Sequence, residues 1–84
     1  MTENEIKQIL DDALSLTELH IQGDGSHFQV TAIDDRFATM SRIQKQQCIS
    51  SVLSDYIADN RIHALTVKTF TPEEWKRHRL LNGL

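Results

Sequence analysis

The chain has 84 residues, of which 39% are hydrophobic and 25% are charged, and its formal net charge is −3 at pH 7. These values are typical of one small globular domain, which we expect to span residues 1–84. No apolar run approaches the roughly 18 residues of a membrane helix, and the acidic N-terminus lacks the basic and apolar regions of a signal peptide. We therefore predict a cytoplasmic protein that does not associate with membranes.

The cysteine content and the distribution of charge limit the kinds of site and of ligand that the protein can have. The single cysteine, Cys48, excludes an internal disulfide and a four-cysteine zinc site. Net negative charge argues against strong non-specific binding to nucleic acid, which depends on clustered lysine and arginine. One basic run, KRHR at residues 76–79, predicts the solvated end of a helix, and contact with a partner is the alternative.

The N-terminal third predicts a helix followed by a β-hairpin. Thr2 and Glu5 form a capping box, and apolar residues then recur at helical spacing, so we expect a helix from about Glu3 to about Leu14. Two segments with a period of two flank the turn GDGS at residues 23–26 and predict the hairpin. If Gln22 pairs with His27, the apolar residues share one buried face: Leu19, Ile21, Phe28, Val30 and Ala32. The polar residues share the open face: His20, Gln22, His27 and Gln29.

The rest of the chain predicts a connector, a second helix, a third strand and a last helix. Phe37 and Met40 are expected to lie under the sheet, and Ser41 to cap a helix that ends near residues 59–60. An apolar stripe supports that helix: Cys48, Ile49, Val52, Leu53, Tyr56 and Ile57. Alternation at residues 65–70 predicts a strand. Thr71, followed by Pro72 and Glu74, then predicts another helix start.

This order of elements, α-β-β-α-β-α, predicts an α+β domain with a three-stranded mixed sheet. A helical crossover joins the second and third strands, so these two strands run parallel if they are neighbours. Two long helices would cover one face of the sheet. The other face would be polar and open to a partner or ligand.

Histidines are the only residues that suggest chemistry. No catalytic, phosphate-binding or zinc-protease motif is present, which predicts a protein that is not an enzyme. His20 and His78 are interpreted as ordinary surface residues. His27 follows a glycine-containing loop, where a side chain could reach a partner. His63 shares the inward parity of Leu65, so its simplest interpretation is a core-edge histidine bonded to a backbone carbonyl.

Two segments resemble the signatures of a known family. RIHAL at residues 61–65 and TFTPEEW at 69–75 resemble the C-terminal signature of the BolA family. GSHF at residues 25–28, with Phe37 and Met40, resembles its hairpin and connector. The likeness covers nearly the whole chain, and its wording is similar to the bacterial acid-stress subgroup of the family.

The resemblance implies a class II KH-like fold and a non-enzymatic adaptor that acts in iron–sulfur cluster trafficking and in the response to acid stress. Such an adaptor forms a heterodimer with a monothiol glutaredoxin and shares a 2Fe-2S cluster that it does not hold alone. The implied ligand candidates are His63 first and His27 second. Alone, the protein is expected to be a monomer or a weak homodimer.

A KH-like, DNA-binding transcriptional regulator is the alternative that the resemblance leaves open. A KH module clamps nucleic acid with a GXXG loop between helices, and no helix junction of this sequence carries one. The candidate contacts for DNA, or for a glutaredoxin bound without a cluster, are basic: Lys68, Lys76, Arg77 and Arg79.

Overall fold

A computed structural model of the chain describes residues 1–83 and contains four α-helices and three β-strands in that range. The predicted order of elements and the mixed three-stranded sheet are confirmed. One short 3-10 helix, η1, follows the hairpin. The elements are α1 (Glu3–Leu14), β1 (Glu18–Asp24), β2 (His27–Ile33), η1 (Asp35–Thr39), α2 (Arg42–Ser50), α3 (Ser54–Ala58), β3 (Ala64–Phe70) and α4 (Pro72–Asn82).

The second predicted helix is interrupted, so the expectation of one continuous helix was wrong. A turn at residues 51–53 separates α2 from α3. Ile49, near the end of α2, and Leu53, the last residue of the turn, are both fully buried. The apolar stripe therefore runs through the turn without a gap, and periodicity alone does not reveal the interruption.

The sheet has the order β1-β2-β3, with β1 antiparallel and β3 parallel to the central β2. The predicted hairpin register was wrong by two residues, because Asp24 and not Gln22 lies opposite His27. The loop is only Gly25 and Ser26, and Gly25 has a φ of 68°, as the first position of a type II′ turn requires. A shift of two residues preserves side-chain parity, so the predicted division into two faces is correct.

The hydrophobic core lies between one face of the sheet, the core face, and the elements α1, η1, α2 and α3. Phe37 is 1% exposed, and Met40 packs against the core in part, as predicted. Among residues 1–83, no helix has both the length and the apolar character needed to cross a bilayer. The buried cluster is Ile6, Leu10, Leu19, Phe28, Val30, Ala32, Phe37, Ile49, Leu53 and Ile62.

The helix α4 packs against the opposite face of the sheet, the open face, at the end where β3 finishes. The Trp75 indole N–H donates to Glu18 Oε2 at 2.9 Å, and the Trp75 and Phe70 ring centroids are 5.2 Å apart. Ile33, also on this face, is 1% exposed. The open face is therefore covered at one end and accessible at the other.

Asp34 ties the end of β2 to the end of α1. Its carboxylate accepts hydrogen bonds from the backbone and side chain of Thr17, each at 3.0 Å, and from the backbone and side chain of Arg36 at 3.0 and 2.7 Å. Arg36 also donates to the Leu14 carbonyl at 2.6 Å. Burial raises the pKa of Asp34, but the bonds from Arg36 and Thr17 outweigh it and lower that pKa to about 2.

Asp34→Asn should therefore destabilise the protein in a pH-dependent way. The Asp34 side chain is only 14% exposed, and its pKa falls from 3.8 to about 2 on folding, so its ionisation contributes about 2 kcal/mol. Because the folded-state pKa is depressed, this contribution is complete above 3.8 and is lost as the pH falls toward about 2. Urea unfolding of both proteins at pH 7 and at about pH 2 measures the loss and its disappearance.

The exposed neighbour provides the control, because Asp35→Asn removes the same charge without removing the network. An Asp34→Asn protein whose deficit is equal at both pH values would show that Asp34 acts through packing and not through its ionised carboxylate.

Candidate functional site

His27 and His63 lie side by side at the accessible end of the sheet. His27 is the first residue of β2, and His63 immediately precedes β3. The parallel register sets His27 opposite Ala64, which brings the two imidazoles together. Their ring centroids are 5.5 Å apart, and the ring planes are inclined by 28°. Both side chains are exposed, so a partner could reach the two rings at once.

Backbone hydrogen bonds hold this pair in place. The carbonyl of Ser26, in the hairpin loop, accepts from the N–H of His63 at 2.8 Å and from that of Ala64 at 3.4 Å. Just before His63, Ile62 is 1% exposed and donates its N–H to the Tyr56 carbonyl at 3.0 Å. The main-chain positions of the two histidines are therefore fixed by backbone hydrogen bonds and by the buried Ile62.

The inward parity expected for His63 was wrong. The strand begins at Ala64, residues 61–63 form a bend, and the buried residue of the bend is Ile62. The predicted bond to a backbone carbonyl exists, but the His63 main-chain N–H makes it and the imidazole does not. The His63 ring is consequently available for another role.

Neither ring of the pair has a hydrogen-bond partner within residues 1–83. An unprotonated imidazole nitrogen is a good ligand for iron, copper or zinc. In the described part of the chain, no three side chains of His, Cys, Asp or Glu converge as ligands for a metal ion. The pair is thus a two-ligand arrangement open to solvent.

The basic candidates lie toward the other end of the open face. Lys68 and Arg79 line a groove of about 510 Å³ between the sheet and α4. Lys76 and Arg79 line an adjoining groove of about 370 Å³, and Arg77 is exposed on the same helix. The structure therefore separates the basic candidates from the histidine pair along the sheet.

Aromatic residues and one carboxylate form the floor of the larger groove. Glu18 accepts hydrogen bonds from Trp75 and from His20. The bond from His20 lowers the pKa of Glu18, burial opposes this change, and the bond from Trp75 adds to it. His78 stacks on Trp75 with ring centroids 5.5 Å apart. Sequence reasoning missed this cluster because its members are distant in the chain and match no motif.

Comparison with known proteins identifies the family. A family model described as BolA-like protein matches residues 4–74. The chain is 57% identical over 83 residues to the acid stress protein IbaG of Escherichia coli K12, covering 99% of each chain. Its structure is similar to that of a BolA homologue from Coxiella burnetii, with a TM-score of 0.78, 29% identity and coverage of 92% of this chain and 99% of that chain. BolA1 of Mus musculus gives the same TM-score and identity over 90% of this chain and 69% of that chain. The chain therefore belongs to the BolA family.

Proposed function

We propose that this protein is a non-enzymatic adaptor that binds a monothiol glutaredoxin and shares or receives its 2Fe-2S cluster. The observation that supports the proposal best is the exposed pair formed by His27 and His63, 5.5 Å apart and without ring hydrogen bonds in residues 1–83. A 2Fe-2S cluster takes four ligands, and imidazole replaces thiolate in some of its sites. Two imidazoles supply part of such a set, and the partner would supply the rest.

The proposed imidazole and thiolate ligands suit a protein that transfers a cluster or senses a change in pH. The glutaredoxin would contribute a cysteine thiolate and a bound glutathione. A neutral imidazole in place of an anionic thiolate raises the reduction potential of a cluster. Only the unprotonated imidazole binds iron, so acidification would weaken the shared site. This sensitivity agrees with a role in the acid-stress response, after which the Escherichia coli relative is named.

We also propose a cellular location and an oligomeric state for the protein. We place it in the cytoplasm, where a reduced Cys48 and a glutathione-dependent partner are compatible. Without the glutaredoxin it would be a monomer or a weak homodimer. The heterodimer would form around the histidine pair, with α4 as a second contact region through Lys76, Arg77 and Arg79.

Anaerobic titration of the protein into a cluster-loaded monothiol glutaredoxin tests the proposal. We expect a new visible circular dichroism spectrum and, in native mass spectrometry, a heterodimer that carries one 2Fe-2S cluster. A glutaredoxin homodimer with an unchanged spectrum would contradict the proposal.

DNA binding by a KH-like regulator is the second candidate function. The observation that favours it is the gathering of Lys68, Lys76 and Arg79 around two adjoining grooves of the open face and α4. Phosphate contacts of this kind would make binding strongly dependent on salt. The carboxylate of Glu18 in the same groove and the net charge of −3 oppose it, so we rank this function second.

A further inference from the structure

The strand β3 forms one edge of the sheet, and its outer backbone groups can be assigned from two hydrogen bonds. Ala64 donates its N–H to Ser26, and the Phe70 carbonyl accepts from the N–H of Asp34. In a parallel ladder, alternate residues bond the same neighbouring strand, so the even-numbered residues of β3 bond β2. Three residues therefore direct both N–H and C=O away from the sheet: Leu65, Val67 and Thr69.

This edge lacks most of the features that normally protect an edge strand, and its one charged residue is Lys68, on the open face. Such strands are usually short, bulged, interrupted by proline or covered by another element. In β3, seven residues continue in unbroken register with β2, and none is proline. Among residues 1–83, no backbone hydrogen bond joins another segment to its outer side. Leu65 and Val67 are only partly buried, so an added strand would remove more of their apolar surface from water.

A basic groove runs beside the same edge. Arg42, Lys45 and Gln46 of α2, with Val67 and Thr69 of β3, line a cavity of about 380 Å³. Within residues 1–83, neither Arg42 nor Lys45 forms an ion pair. Side chains on one face of an added strand would point toward these two cations, so carboxylates at alternate positions would fit them.

One acidic residue lies near this groove, and its carboxylate is already engaged. Lys45 is among the smaller causes that lower the pKa of Glu74, after the backbone hydrogen bond within the Thr71 capping box. That bond, from the Thr71 N–H to Glu74 Oε1, is 2.8 Å long. Glu74 therefore caps α4 and offsets part of the charge of Lys45, but the two cations of the groove outnumber this one carboxylate.

We propose that the outer edge of β3 binds an extended acidic segment of a partner protein, which adds a fourth strand to the sheet. The unpaired groups of β3 would supply main-chain hydrogen bonds. The groove beside α2 would select glutamate or aspartate at alternate positions. This site goes beyond the cluster-sharing function, because it needs neither imidazole of the histidine pair.

A second copy of the chain fits the edge less well. Pairing two β3 edges about a two-fold axis would bring together the basic grooves of both copies, with Arg42 and Lys45 of one facing those of the other. Like charges placed together across an interface oppose association. An acidic segment meets the same edge with complementary charge.

The outer edge of β1 provides an internal control. Its free backbone groups lie beside a surface of mixed charge, lined by Glu3, Asn4 and Lys7 of α1. An acidic strand gains no charge complementarity there. Binding confined to β3 would therefore show that the basic groove is required, and that an unpaired strand edge alone does not bind the segment.

The test uses a short fluorescein-labelled peptide that alternates glutamate with threonine. We expect saturable binding by fluorescence anisotropy and slower amide exchange, measured by NMR, at Leu65, Val67 and Thr69 but not along the β1 edge. Methylating alternate amides of the peptide should weaken binding at least about tenfold, because main-chain donors are lost. Equal binding of the methylated peptide would overturn the proposal.

Protein variants test the charge requirement. Arg42→Gln combined with Lys45→Gln should weaken binding about fivefold, whereas Lys7→Gln, beside the opposite edge of the sheet, should not change it. A peptide with lysine in place of glutamate should bind more weakly than the acidic one, and equal affinity would overturn the proposal. Concentration-dependent protection of the β3 amides in the protein alone would also overturn it, because a second copy would then cover the edge.

Discussion

His63→Ala should abolish the spectral change that this protein produces in a cluster-loaded glutaredoxin, while leaving its own fold intact. The exposed His63 ring makes no hydrogen bond in residues 1–83, and its structural contact with Ser26 uses the main-chain N–H, which alanine retains. Loss of groups that merely orient a ligand costs about 10–100-fold in metal affinity, so loss of a ligand should cost at least as much. Visible circular dichroism during anaerobic titration measures the effect.

Two further variants test whether the effect is specific to His63. His27→Ala should reduce the spectral change less, since His63 is the first ligand candidate and His27 the second. His20→Ala is the matched control, because His20 is also exposed but lies farther along the open face, opposite Thr31. If His63→Ala preserves the new spectrum, the ligand assignment is wrong. If His63→Ala abolishes the new spectrum and also fails to bind the cluster-free glutaredoxin, His63 acts as a contact residue and the ligand assignment is not supported.

Phe37→Ala should cause the largest loss of stability among single substitutions in the connector. Phe37 is 1% exposed and belongs to the central core cluster beneath the sheet. Truncating a buried phenylalanine costs about 3–5 kcal/mol. A domain of 84 residues has a total stability of about 4–13 kcal/mol, so the variant should lose a large fraction of it and would be partly unfolded if the total lies near the lower end. Equilibrium unfolding in urea measures the difference.

Ile43→Ala provides the comparison for this substitution. Ile43 is 67% exposed at the start of α2, and its truncation should change the free energy of unfolding by no more than about 0.5 kcal/mol. Similar losses for the two variants would mean that Phe37 does not contribute to the core as its burial indicates.

Helix starts were predictable because their signals are local. Thr2 with Glu5 and Thr71 with Glu74 form the two capping boxes that the spacing indicates. Ser41 caps α2 as expected, and the structure adds Gln44 as the reciprocal partner of a third box. In each case the hydroxyl and its N–H lie within three residues, so the sequence contains the whole interaction.

Long-range pairing was not predictable in the same way. The hairpin register was wrong because Gly23 and Asp24, which resemble loop residues, belong to β1. The docking of α4 depends on the hydrogen bond between Trp75 and Glu18, which are 57 residues apart in the sequence. No local sequence pattern predicts this bond. Periodicity reports which face of an element is apolar, but not which distant residue it meets.

The candidate site was predictable only in part. The family resemblance implied His63 and His27 as candidate cluster ligands. The distance between them depends on the β2–β3 register and on the Ser26 carbonyl. His63 was assigned inward by extending the strand alternation one residue too far. A bend before Ala64 reverses that assignment, and bends of this kind leave no periodic signal.

The crossover that makes β2 and β3 parallel has a consequence for the timing of folding. The two histidines are far apart in the chain, and they become neighbours only when β3 pairs with β2 across the connection made by η1, α2 and α3. Closing such a connection costs loop entropy that local contacts do not, and domains with many non-local pairings fold more slowly. A newly made or partly unfolded chain therefore carries two unconnected imidazoles, and only the completed domain presents them as a pair.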